Sequence, residues 1–133
     1  MAKKAGYKIS SSVNEGIFEF ILTGKIVESE IDTMLKEFNA RVLASGIDYV
    51  LMDVRAIKGR YGYTGAYQRV RSHPQEFYSI IKTAIVDLPE NSVYRNYHET
   101  TARNAGMNLK WFTDIDEARA WLKISKKEKT ESS

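Results

Sequence analysis

The segment Tyr49-Val-Leu-Met-Asp53 is a short, continuous apolar run that ends in an aspartate, and Thr83-Ala-Ile-Val-Asp87 repeats this pattern. Apolar runs of this length, without polar alternation, are typical of strands that are covered on both faces of a sheet. Residues with helical spacing lie between the two segments and on either side of them. We therefore expect the two segments to be central strands of a mostly parallel sheet.

The flanking segments complete an α/β pattern. Tyr7 to Val13 alternates apolar and polar residues, and a more apolar run at 17–22 follows after Asn14-Glu15-Gly16, which predicts an antiparallel hairpin. Helices are predicted at about 31–46, 64–74, 89–106 and 114–122, and a further short strand at 109–112. The predicted fold is a single five-stranded, mostly parallel sheet with an antiparallel first edge strand and helices as crossovers.

The length of 133 residues fits one domain. We expect an N-terminal tail at 1–6, one domain at 7–124 and a disordered polar tail at 125–133. Cysteine is absent, which excludes disulfides and thiolate chemistry and fits a reducing compartment. No stretch approaches 18 apolar residues and no apolar signal core follows the first residues, so we expect a cytoplasmic protein without a membrane span.

The net charge of +3 lies in the two predicted tails, and residues 5–125 sum to zero. A neutral domain provides no extended basic groove for a phosphate backbone. The charge distribution therefore argues against nucleic acid as a partner.

The most unusual part of the chain is 54–75, which carries five cations and no acidic residue. Within it, Lys58-Gly-Arg-Tyr-Gly-Tyr-Thr-Gly-Ala-Tyr67 mixes glycine, tyrosine and cations just after a central strand, where α/β proteins bind ligands. The candidate residues for binding a protein partner or a small anion are Arg55, Lys58, Arg60, Tyr61, Tyr63 and Thr64. The alternative is a flexible loop whose tyrosines cover the sheet while its arginines stay solvated.

A second candidate group is Arg95, Glu99 and Arg103, which lie four residues apart in a predicted helix. This spacing places a carboxylate between two guanidinium groups on one helical face. A surface ladder of this kind is the favoured interpretation, and the competing one is a polar edge that faces the tyrosine-rich loop.

Motifs for catalysis or metal binding are few. The two histidines have no metal-ligand spacing, and no Walker loop or nucleophile elbow is present, so we expect no enzyme, no metal and no cofactor. Asp53 and Asp87 are interpreted as caps of the turns that follow their strands. The remaining enzymatic alternative uses Asp53, Asp87 or Glu99 as a base beside an arginine.

Several motifs together resemble one family. They are Phe20-Ile-Leu-Thr-Gly-Lys25, Tyr49-Val-Leu-Met-Asp-Val-Arg55 and Glu99-Thr-Thr-Ala-Arg-Asn-Ala-Gly106, the last followed by Trp111-Phe-Thr-Asp114 and Glu117-Ala-Arg-Ala-Trp-Leu122. With the order of elements, they are similar to the SpoIIAA-like family of the STAS group, also labelled STAS/SEC14-like. The resemblance covers about residues 7–123.

The resemblance implies a non-enzymatic role in binding or regulation. Together with the basic, tyrosine-rich loop, it leads us to expect a module that binds a protein partner or a small anionic ligand, and a homodimer through a helix face or loop is a further possibility. In some members of the group a serine in an Asp-Ser-Ser-Gly-like turn is phosphorylated, but here the loop reads Tyr61-Gly-Tyr-Thr-Gly65. Thr64 is therefore the possible phosphoacceptor. The SEC14-like label implies the alternative function, a carrier of a small apolar or lipid-like ligand.

Overall fold

The computed structural model describes residues 6–59 and 66–132, with side chains as far as Lys127. The strands are β1 (Tyr7–Asn14), β2 (Ile17–Lys25), β3 (Tyr49–Asp53), β4 (Ile57–Lys58), β5 (Lys82–Val86) and β6 (Asn108–Phe112). The helices are α1 (Ile31–Ser45), α2 (Ala66–Arg69), α3 (Glu76–Ser79), α4 (Ser92–Asn104) and α5 (Ile115–Ser132). The predicted α/β fold class is confirmed.

The strands form one sheet in the order β1-β2-β3-β5-β6. β1 and β2 are antiparallel, and the other pairings are parallel, as the sequence predicts. The predicted count of five strands needs a correction to six, because β4 also pairs with β2. β3 ends opposite Ile21, and β4 begins opposite Gly24 on the same side of β2. β4 therefore continues the line of β3 after a short interruption.

The hairpin between β1 and β2 is closed by a tight two-residue turn. Glu15 has φ of 53° and Gly16 has φ of 79°, so both central residues are left-handed, as a type I′ turn requires. The turn pairs Asn14 with Ile17 and fixes the register of the two strands. Phe20 and Leu22 consequently face the same side of the sheet as Ile9.

Each face of the sheet has its own apolar core. Helix α1, the α2–α3 region and α4 cover one face, where Phe20, Val50 and Trp111 are buried. Helix α5 covers the other face, where its Leu122 packs with Leu51 and neighbouring residues. Burial on both faces explains why β3 and β5 are continuous apolar runs in the sequence.

Helix α5 continues to Ser132, through the segment expected to be a disordered tail from 125. Ser125 is buried, its hydroxyl donates to the carbonyl of Trp121 at 2.9 Å, and Lys82 Nζ donates to that hydroxyl at 3.2 Å. These contacts extend the helix beyond its last apolar turn.

A buried ion pair connects α5 to the sheet. Arg119 donates from Nε and Nη2 to the two carboxylate oxygens of Glu19 on β2, each at 2.9 Å. Glu19 is 8% exposed, so its charge is compensated almost entirely by this two-point contact.

Candidate functional site

Arg55 lies in the turn between β3 and β4, where it pairs with Asp53. Its Nε and Nη2 donate to the two oxygens of Asp53 at 3.0 and 2.8 Å, and its backbone N–H donates to Oδ1 at 3.1 Å. Burial raises the pKa of Asp53, but the hydrogen bonds from Arg55 outweigh burial and the net effect is a lowered pKa. Arg55 thus neutralises the carboxylate at the end of β3 and stabilises the turn.

Lys58 lies in β4 with an exposed side chain. Its carbonyl accepts a hydrogen bond from the N–H of Ile26 at 3.0 Å, which connects β4 to the segment after β2. The predicted site residues Arg60, Tyr61, Tyr63 and Thr64 lie outside the described residues.

The predicted ladder on α4 lies beside the edge strand β6. Glu99 Oε2 accepts a hydrogen bond from the N–H of Trp111 at 2.6 Å, and Glu99 Oε1 is 4.0 Å from Arg103 Nη1. Arg95 lies one turn earlier on the same side of the helix and is half-buried. Glu99 therefore covers a backbone donor at the edge of the sheet.

The opposite side of α4 exposes apolar residues. Residues 97 and 99 are about 200° apart around a helix, so Tyr97 lies on the side away from β6, and Val93 precedes it by one turn. Helix α2 contacts α4 and exposes Tyr67, over whose ring the guanidinium carbon of Arg71 lies at 3.6 Å. We call Tyr67, Arg71, Val93 and Tyr97 the α2–α4 surface.

This surface is only partly visible in the sequence. Tyr67 lies in the tyrosine-rich stretch quoted above and Tyr97 lies between Arg95 and Glu99, but none of the four residues of this surface was proposed as a site residue. Val93 and Tyr97 are four residues apart on the helical face opposite Glu99, and this spacing is the signal that could have identified these two residues. That α2 packs beside α4 depends on tertiary structure, which residue spacing does not predict.

An apolar cavity of about 100 Å³ lies beneath these helices, between them and the sheet. Its floor and walls come from side chains on strands β2 to β6, on α1, α3 and α4, and on the segment between α2 and α3. They include Met34, Met52, Phe77, Ile85, Ala102 and Leu109. The cavity fits the alternative function that the sequence left open.

The polar groups around the cavity are two histidines and a few neutral side chains. His98 is buried with its ring centroid 4.2 Å from that of Tyr94, and burial together with the charge of Arg69 lowers the pKa of His98 to about 4. Burial also lowers the pKa of His73. Trp111 is 7% exposed, and its indole N–H has no hydrogen-bond acceptor within the described structure.

A polar groove of about 450 Å³ adjoins the cavity between α1 and α2 and shares Leu35 and His73 with it. Arg69 crosses this region and donates to Asp32 and Glu28, each at 3.2 Å. These ion pairs hold the short helix α2 against the start of α1.

The carboxylates considered as catalytic bases all accept local hydrogen bonds. Asp87 Oδ1 accepts from the N–H of Leu88 at 2.7 Å and from Asn91 Nδ2 at 3.0 Å, so Asp87 caps the turn before α4. Asp53 and Glu99 accept from Arg55 and Trp111, as described above. Within residues 6–59 and 66–132, no group of three histidine, aspartate or glutamate side chains is arranged to hold a metal ion.

Comparison with solved structures gives matches along nearly the whole chain. An anti-sigma factor antagonist from Mycobacterium paratuberculosis superposes with a TM-score of 0.61 at 14% identity, over 92% of this chain and 99% of that one. A protein of the DUF3478 family with a SpoIIAA-like fold, from Shewanella loihica, superposes with a TM-score of 0.57 at 17% identity, over 92% and 98%. This chain has the SpoIIAA-like, or STAS, fold.

The resemblance seen in the sequence is therefore confirmed for the fold. No protein-family model and no curated protein matches the chain. No helix in the described part of this STAS fold is both long and apolar enough to cross a bilayer.

Proposed function

We propose that this chain is a non-enzymatic regulatory module that binds a protein partner through the α2–α4 surface. The observation that carries the proposal is the exposure of three apolar or aromatic side chains on two neighbouring helices, Tyr67 (63%), Val93 (75%) and Tyr97 (41%). Aromatic residues beside arginine are the types that contribute most to protein interfaces. A similar fold in an anti-sigma factor antagonist supports a regulatory interaction.

The charge of the neighbouring segment favours an acidic partner. Residues 54–75 carry five cations and no acidic residue. Arg55 and Arg69 of this segment pair with carboxylates elsewhere in the chain, whereas Arg71 is part of the α2–α4 surface. We extend the proposed surface to Arg60, Tyr61 and Tyr63, the glycine-flanked residues just before α2. A cytoplasmic location and phosphorylation of Thr64 stay part of this proposal.

A matched pair of variants tests the surface. Val93→Glu places a negative charge on the α2–α4 surface, whereas Ile124→Glu places one on α5, on the other face of the sheet, at a similarly exposed position. We expect a partner captured by the wild-type chain and identified by mass spectrometry to have an acidic surface. The purified partner should bind V93E at least tenfold more weakly than it binds the wild-type chain, and it should bind I124E with unchanged affinity. Equal binding to V93E and I124E would contradict the proposal.

Substitutions in the tyrosine-rich loop test whether the proposed surface extends to it. The variant R60A/Y61A/Y63A should weaken the same complex and reduce its salt dependence, because two aromatic contacts and one cation are removed. Unchanged affinity and salt dependence would confine the interface to α2 and α4. Mass spectrometry of protein purified from its source cells, with and without phosphatase, tests whether Thr64 is modified.

The cavity supports a second candidate function, which is the binding of a small apolar molecule. Its walls are almost entirely hydrophobic, and its volume exceeds what one water molecule needs. Native mass spectrometry after gentle purification should then show a non-covalently bound small molecule. A ligand-free mass from several expression hosts would count against this candidate.

A further inference from the structure

We infer that the cavity selects a compact, uncharged molecule of about one aromatic ring that carries a hydrogen-bond acceptor for the indole N–H of Trp111. The inference rests on the second candidate function and specifies the class of ligand. Three properties of the cavity support it: its volume, the absence of charge in its walls and the buried indole N–H of Trp111.

The volume sets the size of the ligand. A cavity of roughly 150 Å³ lined by leucine, isoleucine and phenylalanine accommodates benzene. The present cavity measures about 100 Å³ and is lined by the same kinds of side chain, with methionines among them. Methionine adapts its shape to a bound group. The site therefore suits a single ring or a short branched chain and is too small for a long-chain lipid.

The walls set the charge of the ligand. Among the described residues that line the cavity there is no aspartate, glutamate, lysine or arginine. The titratable groups that face it are Tyr94, His73 and His98, and burial keeps both histidines neutral near pH 7. Arg69 lies nearby but is bound to Asp32 and Glu28. An ionised ligand would lose its hydration without gaining a counterion, and such transfer is strongly unfavourable.

The donor sets the polarity of the ligand. An indole N–H can only donate, and a buried donor without an acceptor is energetically costly. Trp111 lines the cavity, is buried, and has no acceptor for this N–H within the described structure. A carbonyl or ether oxygen on an otherwise apolar ligand would supply the missing acceptor. The ligand would then hold one fixed orientation against β6.

Two isosteric probes separate the acceptor from the apolar shape. Acetophenone carries a carbonyl oxygen, and α-methylstyrene replaces that oxygen with a methylene group. Benzoate serves as the charged probe. The chain contains two tryptophans, so the indole N–H resonances in a proton–nitrogen NMR spectrum give one reporter at the cavity, Trp111, and one internal reference on the other face of the sheet, Trp121.

We expect acetophenone to shift the Trp111 indole resonance and to bind about five- to tenfold more tightly than α-methylstyrene, as one hydrogen bond predicts. Trp121 should not respond, and benzoate should not bind. The variant Trp111→Phe should bind both neutral probes equally. Ala102→Leu should fill the cavity and abolish binding, whereas Ala40→Leu on the exposed side of α1 should leave it unchanged.

The experiment distinguishes failure of this inference from failure of the second candidate function on which it rests. Equal affinity for acetophenone and α-methylstyrene, with the Trp111 resonance unmoved by the carbonyl, would overturn the inference and leave the binding of apolar molecules standing. Absence of binding by every neutral probe would overturn both. The wild-type spectra alone decide between these outcomes if a variant fails to fold.

Discussion

The carboxylate of Glu19 is buried between β2 and α5, where Arg119 is its counterion. Removing one member of a buried pair leaves the other charge desolvated, which is more destabilising than losing a surface pair. Glu37 and Arg41 on α1 form such a surface pair at 2.9 Å, with both side chains well exposed. Both pairs join an arginine to a glutamate, but the Glu19 pair is buried and makes two hydrogen bonds between elements, whereas the α1 pair makes one within a helix.

We expect Arg119→Ala to lower the free energy of unfolding by about 1–3 kcal/mol, because Glu19 keeps its burial but loses its partner. The control Arg41→Ala should cost at most about 0.5 kcal/mol. Urea unfolding followed by circular dichroism measures both. Equal losses would show that burial of Glu19 does not matter to the pair.

His98 makes the stability of the protein depend on pH. Its folded pKa of about 4 lies below the ordinary value of 6.5, so between these values the unfolded chain binds a proton that the folded chain does not. The contribution of neutral His98 to folding stability is complete above pH 6.5 and is lost as the pH falls toward 4. A pKa shift of this size corresponds to about 3 kcal/mol in the free energy of unfolding.

We therefore expect the free energy of unfolding of the wild-type chain to fall steeply between pH 6.5 and pH 4. The variant His98→Phe keeps a buried ring beside Tyr94 but does not titrate, so its slope should be smaller. His73 remains in both proteins and leaves a common residual slope. Parallel pH profiles for the two proteins would contradict this assignment.

Single residues with local partners could be predicted from the sequence. Asp87 caps the turn after β5, and Asp114 accepts from the N–H groups of Asp116 and Glu117 at the start of α5, as its spacing predicts. The bond from Trp111 to Glu99 could not be predicted, because it depends on which strand forms the edge of the sheet. Residue spacing gives the helical face of Glu99 but not its neighbour.

At the scale of elements, the chain leaves β4 at Gly59, where it passes close to the segment after β2. Gly59 has φ of 90°, and a Cβ atom added there would collide with the carbonyl oxygen of Ile26. Gly46 at the end of α1 also has a positive φ, of 69°, but has open space around it. The two glycines share backbone strain and differ in crowding.

Replacing each glycine by alanine should separate strain from crowding. Gly46→Ala should cost about 1 kcal/mol for the left-handed backbone alone. Gly59→Ala should cost clearly more, because the chain after β4 must also move away from Ile26. Chemical unfolding gives the two free energies, and similar values would mean that the contact with Ile26 relaxes freely.

The elements missed from the sequence share one physical cause. β4 has two residues, too few to show an alternating pattern, and it is defined by the bond between Lys58 and Ile26. The last turns of α5 contain lysine, glutamate and serine, which give no apolar face to detect. In both cases tertiary contacts, rather than local pattern, determine the structure.

For the whole molecule, the two edges of the sheet are protected differently. At the β6 edge, Glu99 covers a backbone donor, whereas β1 exposes a row of small polar residues. Ser10 and Ser12 pair with Ile21 and Glu19 of β2, and Ile21 is itself exposed. Polar side chains on an edge strand discourage pairing with another chain.

The double variant Ser10→Val/Ser12→Val should therefore associate more than the wild-type chain at equal concentration. Thr33→Val/Thr100→Val changes two exposed helical positions by similar chemistry and serves as the control. Size-exclusion chromatography with light scattering measures both, and also reports whether the wild-type chain is the homodimer considered from the sequence. Identical masses for all three proteins would argue against protection by the serines.

The architecture could be predicted from the sequence because β3, β5, the hairpin and the long helices each carry a strong local pattern. The binding surface could be predicted only in part. Composition drew attention to the stretch that contains Tyr67, but its position beside Val93 and Tyr97 depends on the contact between α2 and α4. The cavity could not be predicted, since it depends on how four helices pack against one face of the sheet.

Helix α5 runs back from the end of β6 to the turn of the first hairpin, where Lys123 pairs with Glu15 and Lys126 reaches its carbonyl oxygen. That turn precedes β2, so it lies at the opposite end of the parallel strands from the segment that leads to α2. A fusion or affinity tag placed after α5 therefore begins far from Tyr67 and Val93. Immobilising the protein through such a tag should leave the α2–α4 surface open to solution in binding assays.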